Sequence, residues 1–159
     1  MQISLTQKER MLLEDQKSHE ELCIEKYTKY EQQAKDIQLK QICAANGQVE
    51  LSHLNSINQL LSGTVPDLNQ NQNQNQNQNP MQNVNNTNTQ SGGINLSDKD
   101  MCTDLLMTEK YVSGSYDTTI FEFRDTGARD VLNHIQKEEQ KHGEAIFKYM
   151  ESKGMYNVK

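Results

Sequence analysis

The feature that most constrains this chain is an internal repeat. When the sequence is shifted by 89 residues onto itself, His53 falls on His142, and several further identities fall into place without a gap. The identical pairs include Glu20 and Glu109, Tyr27 and Tyr116, Asp36 and Asp125, Glu50 and Glu139, and His53 and His142. Polar and aromatic identities at a fixed spacing predict that the chain contains one supersecondary unit twice.

Each copy of this unit has the pattern of two helices joined at an aspartate. Apolar residues recur at intervals of three, four and seven, as on one face of an amphipathic helix. Both prolines, Pro66 and Pro80, lie in the middle of the chain, so no predicted helix contains a breaker. The pattern predicts helices over about residues 6–35, 37–62, 98–124 and 127–153. The predicted N-terminal signals are at Thr6, Asp36 and Ser97.

The predicted fold is an all-α four-helix bundle, formed within one domain by two antiparallel hairpins, 1–62 and 97–159. Residues 63–96 between them are predicted to be a disordered linker, because alternating Asn and Gln offer almost nothing that can pack. If a two-fold axis relates the hairpins, the second and third helices run parallel and the linker must travel the length of the bundle. A flexible chain of this length spans roughly 30–35 Å, which is sufficient.

The repeat places two carboxylates of each hairpin at nearly one level. Glu20 lies 16 residues before the turn at Asp36, and Glu50 lies 14 residues after it. These separations correspond to roughly 24 and 21 Å along the two helices. His53 follows Glu50 by three residues, so it projects from the same face one turn further on. The second hairpin repeats this geometry.

Pairing the hairpins predicts a dimetal centre, because four carboxylates in an apolar core need a neutralising charge. The arrangement matches the carboxylate-bridged site of ferritin-like bundles, with one Glu from each of two helices and a Glu-x-x-His from each of the others. The predicted metal ligands are Glu20, Glu50, His53, Glu109, Glu139 and His142. Carboxylates with one imidazole per ion favour two Fe or Mn ions, with zinc as the alternative. Competing interpretations are a single or structural metal, and a bundle that has kept the repeat without any metal.

Several neighbouring side chains have more than one interpretation. Glu21 and Glu25 compete with Glu20 on the first helix, and the repeat favours Glu20. The predicted second shell consists of Tyr27, Tyr116 and Glu138. The tyrosines either donate hydrogen bonds to metal-bound carboxylates or pack as core aromatics. The repeat counterpart of Glu138 is Val49, so any second-shell role of Glu138 would exist in only one half of the repeat.

The remaining histidines and the cysteines fall outside the repeat. His19 and His134 are predicted to be surface or rim residues. Cys23, Cys43 and Cys102 are odd in number and widely spaced, which is not typical of a disulfide framework or of a metal knuckle. We expect them to be small core residues.

Composition argues against several classes of partner. The formal net charge is −6 and Lys and Arg form no cluster, so nucleic acid is not expected to bind. No apolar run approaches the roughly 20 residues that span a bilayer, so membrane insertion is not expected. The first residues, MQISLTQKER, lack the plan of a signal peptide, which predicts synthesis and folding in a cytoplasm.

About 60 residues from Asp98 onward carry a further pattern. Its features are Asp104, Leu105, Leu106, Glu109, Lys110, Tyr116, Glu122, Arg129, Leu132, a Glu/His-rich turn, Tyr149, Met150, and Gly154-Met155-Tyr156. This segment resembles the Coat F family of bacterial spore coat proteins, which more often has Gly-Trp-Tyr at the last position. The first half resembles the family only through the repeat.

The resemblance implies a ferritin-like bundle made in a sporulating cell and deposited in or near the spore coat. Its expected partners are other coat proteins or a second copy of the chain. Wider similarity to rubrerythrin-like and manganese-catalase-like bundles, through Glu-x6-Tyr and Glu-x-x-His, implies peroxide or dioxygen chemistry of a dimetal oxidoreductase. The alternative is a structural coat component whose metal only stabilises the bundle. A ferroxidase-like metal store is less favoured, because nothing in the sequence indicates a cage.

Overall fold

The computed structural model describes residues 1–68 and 96–159, and four helices account for most of them. These are α1 (Gln7–Gln33), α2 (Ile37–Leu61), α3 (Asp98–Glu122) and α4 (Thr126–Ser152). The predicted all-α class is confirmed, and each helix ends within two residues of its expected position. Most of the expected linker, residues 69–95, lies outside the described residues. None of the described helices combines the length and apolar character needed to cross a membrane.

Side-chain caps fix where the helices begin. The repeat-related Asp36 and Asp125 are the N-caps of α2 and α4, and each carboxylate accepts a backbone N–H of the following turn at 2.8 Å. Thr6 and Ser97 cap α1 and α3 through reciprocal hydrogen bonds with the residue three positions on. Each cap satisfies backbone donors that have no partner within the helix.

Contacts at the two ends of the bundle show that α2 and α3 run parallel. At one end, the Asp98 carboxylate accepts the N–H groups of Lys35 and Asp36, both at 2.9 Å, so α3 begins beside the α1–α2 turn. At the other end, the Gly63 carbonyl, just after α2, accepts the N–H of Ile3 at 2.8 Å. The connection between α2 and α3 therefore starts and finishes at opposite ends of the bundle, as the two-fold repeat predicts.

The interior contains two apolar clusters with a polar layer between them. One cluster includes Leu13, Ile57, Leu60, Val112 and Leu132, and the other includes Leu39, Met101, Leu105, Ile146 and Tyr149. Cys23, Cys43 and Cys102 are buried in these clusters as free thiols, as expected from their spacing. The apolar clusters hold the four helices together by burying their inward faces.

An ion pair between the buried Glu9 and the exposed Arg124 links the α3–α4 turn to the start of α1. The Arg124 guanidinium donates to both Glu9 oxygens at 3.2 Å, and the Arg124 backbone N–H donates to the same carboxylate at 3.0 Å. Glu9 also accepts the backbone N–H of Thr6 at 2.7 Å. Burial acts to raise the pKa of Glu9, but the hydrogen bonds from Arg124 and Thr6 lower it to about 2.

This pKa predicts a stability term that depends on acid pH. Because the folded-state pKa lies below the ordinary value, the Glu9 interactions stabilise the bundle above about pH 4.5 and lose their effect as the pH falls toward 2. We expect Glu9→Gln to lower the free energy of unfolding by roughly 1–3 kcal/mol at pH 7, and by progressively less toward pH 3.

Urea unfolding of chelator-treated protein at several pH values measures this difference. Glu122→Gln is the control, because its partner Lys8 is 65% exposed and an exposed ion pair contributes at most about 1 kcal/mol. A Glu9→Gln deficit that stays constant from pH 7 to pH 3 would contradict the prediction.

Candidate metal centre

The polar layer consists of the six predicted ligands. The first helix of each hairpin contributes one glutamate, and the second helix contributes a glutamate and a histidine one turn apart. These side chains are Glu20, Glu50, His53, Glu109, Glu139 and His142, and none is more than 4% exposed. The competing Glu21 and Glu25 on α1 are exposed. The structure therefore brings together all six residues that the repeat singles out.

One group of four surrounds the inner nitrogen of His53. Its Nδ1 lies 3.5 Å from Glu20 Oε2, 3.1 Å from Glu50 Oε2 and 3.3 Å from Glu139 Oε1. The donor atoms of this group all lie within 4.8 Å of one another. We call it the His53 group.

A second group of four surrounds His142. Its Nδ1 lies 3.1 Å from Glu50 Oε1, 3.3 Å from Glu139 Oε2 and 3.8 Å from Glu109 Oε1. We call it the His142 group. Glu50 and Glu139 belong to both groups, each presenting one oxygen to either side. The two imidazole rings stack with centroids 5.8 Å apart.

Several oxygens in this layer are buried without a hydrogen-bond partner. They are Glu20 Oε2, Glu109 Oε2 and both carboxylate oxygens of Glu139. Each imidazole Nδ1 faces three carboxylates, yet it carries at most one proton to donate. Buried acceptors without donors are costly in a protein interior. A divalent cation bound by carboxylate and imidazole ligands would satisfy these oxygens, so the donor set fits a metal ion.

The pKa values show how the cluster balances its charge without a cation. Burial and the charges of the neighbouring glutamates raise the pKa values of Glu20 and Glu109, the latter to about 11. Burial acts in the same direction on Glu50 and Glu139, but the two histidines, which hydrogen-bond to Glu50 and lie close to Glu139, lower both pKa values below the usual range. These shifts favour the protonated form of Glu20 and Glu109 and the ionised form of Glu50 and Glu139.

The histidines supply the compensating positive charge. Burial acts to lower the pKa of His53, but its hydrogen bonds to glutamates raise it well above the usual value. The pKa of His142 is raised for the same reason against the same burial effect. The raised pKa values favour the imidazolium form of both histidines, whose positive charge opposes that of the neighbouring carboxylates. Two divalent cations would take the place of these protons and neutralise the carboxylates in the same way.

This exchange predicts that metal binding releases protons. The pKa values of Glu20, Glu109, His53 and His142 are all raised, so protons compete with a cation for these side chains and Mn²⁺ affinity should rise with pH. Calorimetric titration with Mn²⁺ in buffers of different ionisation enthalpy measures the number of protons released. Mn²⁺ binding that releases no proton at pH 7 would contradict this account.

The two tyrosines of the repeat contact the glutamates of the opposite hairpin. The Tyr27 hydroxyl donates to Glu109 Oε1, and the Tyr116 hydroxyl donates to Glu20 Oε1. Asn46 in turn donates to the Tyr27 hydroxyl at 3.1 Å. Both tyrosines are also buried in the apolar clusters, so they pack as core aromatics while orienting a carboxylate.

Glu138 contacts the outer nitrogen of His53. Its Oε2 lies 2.8 Å from His53 Nε2, so both ring nitrogens of this histidine face carboxylates. The same oxygen lies 3.5 Å from His134 Nε2 at the rim of the bundle. The repeat could not identify His134, which has no histidine counterpart, although its spacing of four residues from Glu138 indicates a shared helix face. His19 lies away from the layer, edge-to-face with Tyr111 at 5.5 Å.

A largely apolar groove between α3 and α4 reaches the polar layer. It has a volume of about 510 Å³, and its lining includes Leu106, Gly143 and Phe147 as well as the carboxylate-bearing Glu109 and Glu139. Phe147 packs edge-to-face on Tyr156 at 5.1 Å at the side of the groove. Sequence periodicity carries no signal for this groove, because it depends on the spacing of two helices and on a glycine at position 143.

Comparison with protein families agrees with the pattern in the second half of the chain. Residues 97–159 match the model of the Coat F domain. This match covers the second hairpin, which we call the Coat F domain. The match suggests a spore coat protein, and the matched residues include Glu109, Glu139 and His142 of the polar layer. Comparison with curated proteins and with solved structures gives no significant match.

The Coat F domain is joined to the first hairpin through polar contacts as well as through the core. Asp104, one of the residues that carry the family pattern, accepts hydrogen bonds from Lys26 at 3.0 Å and from the Tyr30 hydroxyl at 2.7 Å. Near the opposite end, the buried Gln16 of α1 donates to Thr119 of α3 at 2.8 Å. These contacts fix the register of α1 against α3, and hence the level at which the two hairpins present their glutamates.

Proposed function

We propose that this chain is a spore coat protein that binds two divalent cations, Fe or Mn, between its hairpins and acts with them on peroxide or dioxygen. The observation that carries the proposal is the convergence of four buried carboxylates on two imidazole Nδ1 atoms, with four carboxylate oxygens lacking any hydrogen-bond donor. Carboxylate-rich donor sets with one imidazole per ion suit Fe and Mn better than thiolate-preferring metals.

Each ligand has a distinct place in the proposed centre. Glu50 and Glu139 are shared by the two groups, so they would contribute to holding both ions. Glu20 and His53 would complete one position, and Glu109 and His142 would complete the other. Bound Fe or Mn would supply the electron transfer that no side chain of the layer can provide.

The surrounding residues suit a reaction on a small molecule. Tyr27 and Tyr116 hold the outer glutamates by hydrogen bonds, which limits their rotation. The apolar clusters above and below the layer exclude bulk water. The groove between α3 and α4 reaches Glu109 and Glu139, which favours a reacting species that enters from outside the bundle.

Metal content and peroxide consumption test the proposal together. Protein expressed with added iron or manganese should contain about two ions per chain, and it should release dioxygen from hydrogen peroxide. Disproportionation of peroxide needs no other reductant, so it is the simplest activity to assay. We expect Glu20→Ala to remove at least one ion and most of the activity. The His53→Ala/His142→Ala double variant should remove both ions and the activity.

Glu21→Ala is the matched control, since Glu21 is the exposed neighbour of Glu20 on α1. Elemental analysis by mass spectrometry and an oxygen electrode give the two readouts, and circular dichroism verifies that each variant remains helical. Folded wild-type protein that takes up no Fe or Mn would refute the proposed centre.

A second candidate function is structural. All six ligands are almost fully buried, so a metal ion would link all four helices and stabilise the bundle whether or not it reacts. In that case metal-loaded protein should not consume peroxide and should associate with other coat proteins.

Thermal unfolding with and without a chelator measures the stabilising contribution of the metal. Since only the folded bundle assembles the ligands, removing the metal should lower the melting temperature under either candidate function. A loss of several kcal/mol is the mass-action effect expected when the dissociation constant of the ion lies far below its free concentration. Equal melting temperatures with and without chelator would contradict metal binding in the polar layer.

A further inference from the structure

The two halves of the polar layer are related by the repeat, but their surroundings differ. Glu50 and Glu139 are shared, and each half adds one glutamate, one histidine and one tyrosine. Because the repeat makes these ligands equivalent, any difference between the two positions must come from the residues around them.

The first difference lies behind the histidines. His53 Nε2 contacts the carboxylate of Glu138 at 2.8 Å. The repeat counterpart of Glu138 is Val49, a residue that cannot accept a hydrogen bond from His142. A carboxylate behind a metal-binding histidine fixes its orientation and raises its basicity, which strengthens the metal–nitrogen bond. His53 has this support and His142 does not receive it from Val49.

The second difference is access from outside. The groove of about 510 Å³ between α3 and α4 is lined by Glu109, which belongs only to the His142 group, and by the shared Glu139. A smaller recess of about 190 Å³ is lined by Val49, by His142 itself and by Glu138, the outer partner of His53. Neither Glu20 nor His53 lines these two cavities. Both cavities therefore reach the His142 group.

We infer that the two metal positions have different roles: the His53 group holds its ion tightly, whereas the His142 group is the exchangeable position at which a small external ligand binds. This inference rests on the proposed metal centre. The residues that distinguish the positions are Glu138 and Val49 behind the histidines, and Gly143 in the groove. Gly143 faces the Cβ of Glu109, and a Cβ built on it would lie 3.8 Å away, at ordinary contact distance.

Titration of metal-free protein with Co²⁺ tests the order of binding. Wild-type protein should bind Co²⁺ in two resolved steps, seen in the visible absorption and in calorimetry. His142→Ala should keep the tighter step, and His53→Ala should lose it. Glu138→Val should weaken the tighter step about 10–100-fold, the usual effect of removing an outer partner of a metal ligand. Glu151→Gln, an exposed carboxylate on the same helix, should leave both steps unchanged.

The sharpest variant exchanges the two distinguishing residues. In Val49→Glu/Glu138→Val the carboxylate moves from His53 to His142, so the tighter step should now require His142 and survive His53→Ala. The total of apolar and acidic residues is unchanged, which makes this double variant its own control for composition. If it does not fold, Glu138→Gln serves instead, and it should weaken the tighter step while leaving the weaker one unaltered.

Azide binding to the Co²⁺-loaded protein tests the access route. Azide should perturb the spectrum of one ion, and Gly143→Leu should weaken azide binding at least tenfold by filling the groove, with Co²⁺ stoichiometry retained. Gly143→Ala is the smaller step, and it should have little effect because its Cβ fits at contact distance.

Three results would overturn the inference. The first is that the tighter Co²⁺-binding step is lost in His142→Ala and not in His53→Ala. The second is that the tighter step of the Val49→Glu/Glu138→Val variant still requires His53. The third is that Gly143→Leu leaves azide binding unchanged. Absence of Co²⁺ binding to folded wild-type protein is a different failure, because it would refute the proposed metal centre itself and the inference with it.

Discussion

The rest of this structure depends on the burial of four carboxylates and two imidazoles in one layer of a helical bundle. Such a layer is tolerable only if its charges cancel, whether by protons or by cations. The apolar clusters on either side supply the hydrophobic stabilisation that the layer itself lacks. The caps at Asp36 and Asp125 then set both hairpin turns at equal distances from the glutamates, so that the charges meet at one level.

The protonated layer explains how such a bundle can fold before any metal arrives. The raised pKa values of Glu20, Glu109 and the two histidines favour their protonated forms, and these protons offset the charges of Glu50 and Glu139. The helices can therefore assemble with the ligands already close together. Because the ligands are already in place, an incoming cation loses less binding free energy to ordering them. Metal binding then consists mainly of the replacement of protons by cations at a formed site.

The sequence predicted the features that depend on spacing along the chain. Helical periodicity and the caps located four helices, and the repeat favoured Glu20 over Glu21 and Glu25 because only Glu20 has a partner at the same offset. Contacts that do not involve the repeated residues were not predictable. The Arg124–Glu9 pair joins residues far apart in the sequence, and His134, which contacts Glu138 within α4, has no histidine counterpart in the repeat. The groove depends on how closely α3 and α4 approach, which no local pattern encodes. The ligation of metal itself remains a proposal.

The tyrosine contacts have a consequence for how this chain came to exist. The Tyr27 hydroxyl of the first hairpin donates to Glu109 of the Coat F domain, and the Tyr116 hydroxyl of the Coat F domain donates to Glu20 of the first hairpin. Neither hairpin alone contains a tyrosine that orients its own first glutamate, so a single hairpin would carry half of an arrangement. Two identical hairpins paired about the same axis would complete it, in the manner of an isologous dimer. Once the two hairpins are joined in one chain, their sequences no longer have to be identical. The repeat pairs Val49 with Glu138 and Asn46 with Ile135, and a dimer of identical hairpins could not have two different residues at such positions.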